Sequence, residues 1–325
     1  MLRELISYTL VKKEIPLDYF RKFLYRNEIT NCNQYLSMGQ YRAITNSPSM
    51  EFPEVSSILR NKLLFGIYCE KHGLAVPRII SYHLKNQFFF KGEPVTIGTK
   101  KELYRFFSEV MEQSGRPQLF LKYLEKYGGE GALRLTKNNL QKEIDDYDQA
   151  LLSHSYIHQE ILPQHPAINT IYSGAVNTIR MDTYKDLKGR VHILSALMRF
   201  GVGNSITDNA SGGGFYVGIN HSTGTLRNTG RYDMAKGGGS CTRHPDTNKL
   251  LEGYQIPFYT EACELAVKAV RYLPNRIIGW DIAIGENGSY IIEGNEKTSL
   301  HLTDVAYGGY CKHPLIQEIL NELKL

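Results

Sequence analysis

The chain has 325 residues, 42 % hydrophobic and 22 % charged, the make-up of a soluble globular protein too long for one hydrophobic core. Two or three subdomains sharing a cleft are therefore expected. The net charge of +5 is mild and spread along the chain, which sets nucleic acid aside as a partner while suiting a phosphorylated ligand. The five cysteines (Cys32, Cys69, Cys241, Cys263, Cys311) are scattered, with no Cys-x-x-Cys. They read as free thiols in a reducing cytosol rather than a zinc knuckle or disulfide framework. Met1-Leu2-Arg3-Glu4-Leu5 carries charge where a signal peptide needs an apolar core, and no apolar run is long enough to span a bilayer. A cytoplasmic protein is expected.

Residues 1 to about 75 read as helical, with Leu17, Phe20, Phe23 and Leu24 at helix spacing and Leu59, Leu63, Leu64, Ile67 and Tyr68 marking a second helix that stops at Gly73. An extended stretch follows at 79–82, then a helix over about 100–113 with Leu103, Phe106, Phe107 and Val110 on its apolar stripe. Strands are expected at 119–124 and 132–135 around Tyr127-Gly128-Gly129-Glu130-Gly131, a helix at 140–152, and a strand at 156–162. Further strands are expected at 176–184 and 191–199, a glycine-rich segment at 201–218, and mostly loop at 220–255. A helix opens near Pro257 and stops at Pro274, strands at 277–284 and 290–293 form a hairpin, and a last helix begins at Pro314. The fold class is α+β: a mainly helical region over 1–85, a small domain over 86–162 and a large one over 163–325.

The hairpin carries the strongest chemistry. Asp281 lies in Ile277-Ile278-Gly279-Trp280-Asp281-Ile282-Ala283-Ile284, and Glu293 in Tyr290-Ile291-Ile292-Glu293-Gly294-Asn295. A carboxylate in an apolar strand is costly to bury uncompensated. Two that converge call for a cation, and oxygen ligands suit Mg²⁺. A two-residue Asn287-Gly288 loop would pair Asp281 with Gly294 and turn the acids apart. A three-residue loop, Glu286-Asn287-Gly288 with Gly288 at positive φ, sets Asp281 opposite Glu293, with Asn295 on the same face. The other reading leaves one acid in solvent and the other in a salt bridge.

Lys122 lies in an apolar strand before a Gly-rich turn whose backbone N–H groups can cradle phosphates. Gln159-Glu160-Ile161-Leu162 ends a strand at a domain junction and can offer backbone groups to an adenine edge. Asp208, Asn209 and Ser211 beside Gly212-Gly213-Gly214 favour ligand contact. His244-Pro245-Asp246 reads as a turn with a surface histidine. No Gly-x-Ser-x-Gly, Walker or dinucleotide fingerprint occurs.

In order and spacing these motifs resemble the ATP-grasp superfamily. Asn177-Thr178-Ile179-Arg180, Asn209-Ala210-Ser211-Gly212-Gly213-Gly214, Gly279-Trp280-Asp281-Ile282-Ala283 and Glu293-Gly294-Asn295 resemble its sugar-transfer-associated subfamily. The resemblance covers about 55–310 and is fullest over 120–300. It implies ATP between two α+β domains, with Lys122, Gly128 and Gly129 on the phosphates, Gln159 to Leu162 on adenine, and Lys62 as a further nucleotide contact. Asp281, Glu293 and Asn295 would hold Mg²⁺. Many ligases of the superfamily have an arginine where this chain has Gly279, so Arg180, Arg199 and Lys297 are the candidates for stabilising charge. Asp208, Asn209, Ser211 and Gly213 are candidates for substrate contact.

The function so implied is a carboxylate–amine ligase acting through an acyl phosphate on small-molecule or sugar-linked substrates, in surface-polysaccharide assembly by subfamily analogy. A sugar kinase on the same fold and a non-catalytic ATP-binding module are the competing classes.

Overall fold

The computed structural model describes residues 1–125, 131–233 and 236–325. Helices α1 (Leu2–Lys12), α2 (Leu17–Arg21), α3 (Met38–Thr45), α4 (Pro53–Arg60) and α5 (Lys62–Lys71) form the N-terminal region. The second expected helix is two. Asn61 breaks it, its side-chain oxygen accepting the Leu63 and Leu64 N–H groups at 3.1 Å each, an N-cap that periodicity alone does not register.

Strands β1 (Ile79–Leu84), β2 (Gln87–Phe90) and β3 (Glu93–Thr96), helix α6 (Lys100–Ser114), strands β4 (Gln118–Tyr123) and β5 (Leu133–Thr136), helix α7 (Leu140–Ser153) and strand β6 (Tyr156–Gln159) come next. They make a sheet in the order β3-β2-β1-β6-β4-β5, so the 79–84 strand joins this sheet rather than the helical region. Helices α6 and α7 bury Phe107, Val110 and Ile144 against Phe88, Leu121, Leu135 and Tyr156 of the sheet. Thr99 and Glu102 close a capping box on α6 and Gly115 ends it at φ +66°. The expected strand at 156–162 stops at Gln159, although the Glu160 N–H still reaches Arg78 O beside β1 at 3.0 Å.

Helix α8 (Pro166–Asn169), strands β7 (Thr178–Lys185), β8 (Val191–Phe200), β9 (Phe215–Asn220), β10 (Thr225–Tyr232) and β11 (Ser240–Cys241), helix α9 (Tyr259–Tyr272), strands β12 (Ile277–Gly285) and β13 (Gly288–Asn295), and helices α10 (Leu300–Tyr307) and α11 (Pro314–Glu322) complete the chain. The second sheet runs β11-β10-β9-β8-β7-β12-β13. The described part of 220–255 is mostly loop, as expected, but it contains a strand, β10, that pairs with β9 and β11. Its Arg- and Asn-rich sequence masks a strand that is half solvated. Helix α10 was not foreseen either. Helix α9 lays Ala262, Ala266 and Ala269 against Ile278 and Ile282, small residues that let helix and sheet approach closely. All nine residues of β12 are buried. Among the described residues no helix is long and apolar enough to cross a membrane.

Candidate active site

The β12–β13 hairpin places the two acids, by a route other than the one expected. The turn is two residues, Glu286-Asn287, between paired Gly285 and Gly288. That register alone would set Asp281 against Ile292. A bulge at Ile292 shifts the pairing, so that Asp281 faces Glu293 and Gly279 faces Asn295. Gly288 does sit at positive φ, +145°, where a Cβ would also lie 2.7 Å from Glu261 Oε1. The same face extends across β7, where Arg180 is directly opposite Asp281. Arg180, Asp281 and Glu293 therefore form one row across three neighbouring strands.

That row is charge-compensated. Arg180 donates to both Asp281 oxygens, with Nη2 3.1 Å from Oδ2. Arg199 on β8 puts Nη2 2.9 Å from the same oxygen and Nε 3.4 Å from Asp208 Oδ2. Thr178 ties the two, accepting from Arg199 Nε at 3.1 Å and donating its hydroxyl to Asp208 at 2.5 Å. Burial pushes the Asp281 carboxyl up, but Arg180 and then Arg199 overrule it and hold the group well below the usual carboxylate range. Glu293 goes the other way, raised by burial and by Asp281 beside it, with Lys62 Nζ 3.5 Å from its Oε2. Two adjacent acids with opposite shifts leave a site where additional positive charge is favourable.

The missing arginine also has a structural reason. A Cβ at Gly279 would lie 2.0 Å from Thr298 Oγ1 and 3.2 Å from Asp182 Oδ1, so no side chain fits. The guanidinium groups beside Asp281 come from Arg180 and Arg199 on the neighbouring strands.

The small sheet faces this row across a cleft of about 750 Å³. Lys122 of β4 projects into it 5.4 Å from the Phe120 ring, and among the described residues its ammonium makes no ion pair. Burial lowers its pKa to about 8, against the pull of Glu293. Lys62 opens α5 and is fixed to the small sheet by its N–H to Leu124 O at 2.9 Å. At the hinge Gln159 Nε2 donates to Pro77 O at 3.2 Å, and Glu160 pairs with Arg116 at 3.0 Å.

Of the residues singled out from the sequence, the cleft gathers Lys62, Lys122, Gln159 to Leu162, Arg180, Arg199, Asp208, Asn209, Ser211, Asp281, Glu293, Asn295 and Lys297. Gly213 does not line it. It ends a 3₁₀ turn, Ala210–Gly212, at φ +112°. Gly128 and Gly129 lie outside the described residues. His244 is buried rather than a surface residue, its Nε2 2.9 Å from Gly201 O. Sequence reasoning missed Thr178 as a link, and Phe120, Ile206 and Ile292 as apolar walls. A threonine in a β-rich run and apolar strand residues carry no signal of their own.

The donor set fits a hard divalent cation. Asn295 gives its Nδ2 hydrogen to Gly279 O at 3.2 Å, which leaves the amide oxygen as the end available beside the acid pair. Among the described residues no group of three His, Cys, Asp or Glu side chains gathers. Two carboxylates and an amide oxygen suit Mg²⁺, which characteristically completes its shell with water and phosphate oxygens.

Two antiparallel sheets closing on a cleft, one bringing lysine and the other acids, is the plan of the ATP-grasp superfamily. Within it the chain belongs to the family described as sugar-transfer-associated ATP-grasp, whose model matches residues 42–319. Solved structures resemble it at low identity. The ATP-grasp ligase PsnB, complexed with precursor peptide PsnA2 and AMPPNP, is 16 % identical over 85 % of this chain and 63 % of its own, with TM-score 0.47. D-alanyl-alanine synthetase A from Vibrio cholerae is 11 % identical over 84 % and 68 %, with TM-score 0.48. An N5-carboxyaminoimidazole synthase from Aspergillus clavatus, in complex with ADP and 5-aminoimidazole ribonucleotide, is 14 % identical over 75 % and 46 %, with TM-score 0.43. The chain thus spans about three fifths of the length of PsnB and about half that of the synthase. No curated protein matches it in sequence.

Proposed function

We propose that the protein is an ATP-dependent carboxylate–amine ligase acting on sugar-linked substrates in the cytoplasm. The observation that carries this reading is the row Arg180–Asp281–Glu293, facing Lys122 and Lys62 across one cleft. Phosphoryl transfer needs positioning and charge stabilisation more than covalent help from the protein. In this reading Lys122 and Lys62 hold the nucleotide phosphates, and the backbone of Glu160 to Leu162 meets adenine. Asp281, Glu293 and Asn295 would hold Mg²⁺, whose charge offsets that of the β- and γ-phosphates. Arg199, with Lys297 at the edge of the cleft, orients the substrate carboxylate.

The carboxylate oxygen attacks the γ-phosphorus and ADP leaves, giving an acyl phosphate. The amine nitrogen then attacks the acyl carbon, loses a proton and expels phosphate as the amide forms. A uronic acid and an amino acid or amine fit the subfamily's sugar association, with surface-polysaccharide assembly as the setting.

The test uses ATP labelled with ¹⁸O in the γ-phosphoryl group, supplied with candidate uronic acids and with hydroxylamine in place of the amine. The expected products are ADP, labelled inorganic phosphate and a hydroxamate, all dependent on the carboxylate. Label in a stable sugar phosphate without hydroxamate makes the protein a kinase. Binding of ATP without turnover in any arm makes it a non-catalytic module.

A further inference from the structure

Exposed apolar side chains are unevenly spread over the surface. Of the twenty-one large hydrophobic side chains exposed among the described residues, nine fall within residues 1–25. An exposed leucine by itself means little, because folded proteins leave much apolar surface in water. Spacing distinguishes these. Leu2, Ile6 and Leu10 of α1 recur every fourth residue, which lines them along one side of the helix, and they are 71 %, 53 % and 71 % exposed.

The opposite side of α1 is already occupied. Tyr8 is wholly buried, and its ring meets that of Tyr19 from α2 edge-on at 6.1 Å. Glu4 accepts from the Tyr19 hydroxyl at 2.8 Å, Ser7 accepts from Asn33 Nδ2 at 3.0 Å, and Lys12 donates to Gln40 Oε1 at 3.1 Å. These contacts fix the inner side, so the apolar stripe cannot turn inward without breaking them. Arg3 and Lys13 flank the stripe, and both are exposed. The nearby acids are engaged elsewhere, Glu4 by Tyr19 and Glu14 by the Gly39 N–H at 3.1 Å. No residue of α1 lines the cleft, so its outer side has no part in the reaction.

We propose that the outer side of α1 docks the protein on the surface of an anionic lipid bilayer, lying along it rather than crossing it. A helix with aliphatic side chains down one side and basic ones beside them settles at the boundary between headgroups and acyl chains. Arg3 and Lys13 complement the negative headgroups of such a surface. Charge also decides against a second copy of this chain as the occupant. Two such faces laid together would bring the basic side chains of both copies into one contact, and like charges across an interface are unfavourable. A stripe of three side chains supports reversible attachment, not insertion. The inference is independent of the ligase reading.

Co-sedimentation of the full chain with phosphatidylcholine vesicles, with and without phosphatidylglycerol, tests this. The anionic vesicles are expected to bind it roughly tenfold or more tightly than the neutral ones, since each Lys or Arg near such a surface contributes a factor of about five. Ile6→Ser combined with Leu10→Ser is expected to weaken binding to the anionic vesicles about tenfold or more, through lost apolar contact. Arg3→Gln combined with Lys13→Gln is expected to remove the preference for them. All four side chains are exposed, so circular dichroism should show both variants folded like the wild type. Failure of the wild type to bind either vesicle overturns the proposal. So does binding that ignores phosphatidylglycerol or survives both double variants. Sedimentation equilibrium of the protein alone reads the competing occupant. A dimer that dissociates in the Ile6→Ser, Leu10→Ser variant would make this face a contact between copies and overturn lipid docking.

Discussion

The two sheets that face the cleft carry their charge in opposite ways. On the large sheet every charged group of the central row is matched: Asp281 by Arg180 and Arg199, Asp208 by Arg199 and Thr178, Glu293 by Lys62. On the small sheet Lys122 stands without an ion pair among the described residues, and burial depresses its pKa to about 8. The first arrangement is preorganised by the fold and needs no ligand to hold its shape. The second is costly without an anion and becomes favourable when one arrives. On the proposed function the large sheet positions and the small sheet captures, and substitutions on the two sides should separate stability from binding.

The largest effect is expected from Asp281→Leu. Removing this carboxylate leaves Arg180 and Arg199 buried against each other, and breaking a buried pair in this way typically costs about 3–5 kcal/mol. Denaturant unfolding should show that loss. An unchanged midpoint would mean the row is not the self-compensated unit described here.

Glu293→Gln should act on turnover rather than folding. The side chain keeps its shape and can still accept a hydrogen bond from Lys62, but it loses its charge. Turnover is expected to fall roughly 10²-fold, in line with loss of one charge-stabilising group from a reaction centre. Initial rates of ADP release, with circular dichroism as a folding control, decide it.

Lys122→Met is the counterpart on the small sheet. The apolar side chain fills the space beside Phe120, so stability should hold or rise slightly. Nucleotide affinity should fall about tenfold, the size of one charge-assisted contact. A destabilised variant with unchanged affinity would reverse the assignment of the two sheets.

What was readable in the sequence follows the same division. Asp281, Glu293 and Lys122 stood out because charge inside an apolar strand is expensive, and that expense is visible residue by residue; Asn295 followed from the strand's period of two. The hairpin's register was not readable. Whether Asp281 meets Glu293 depends on a bulge at Ile292, and nothing in Ile291-Ile292 marks one isoleucine as the extra residue. The helix break at Asn61 was missed because the apolar spacing runs straight through it. Strand β10 was missed because Leu226 and Gly230 are its only buried positions, among Arg227, Asn228 and Arg231. The packing of the Phe23 ring on Gly238 was invisible because the two are far apart in the chain and a glycine gives no sign of what sits on it.

The smallest effect expected is a pH dependence that belongs to Lys122 alone. Its free-state pKa lies at about 8, lowered by burial, so the ammonium is present below that value and lost above it. Bound phosphates favour the charged form and raise the pKa in the complex. Affinity is therefore level below pH 8 and falls as pH rises from the free value toward the bound one, by at most tenfold per unit. Asp281 contributes nothing in this window, since the arginines keep it ionised throughout. AMPPNP titrations between pH 7 and 9.5 should show the decline in the wild type and a flatter profile in Lys122→Met. A decline of equal slope in the variant would place the titrating group elsewhere and remove the small sheet's claim to phosphate capture.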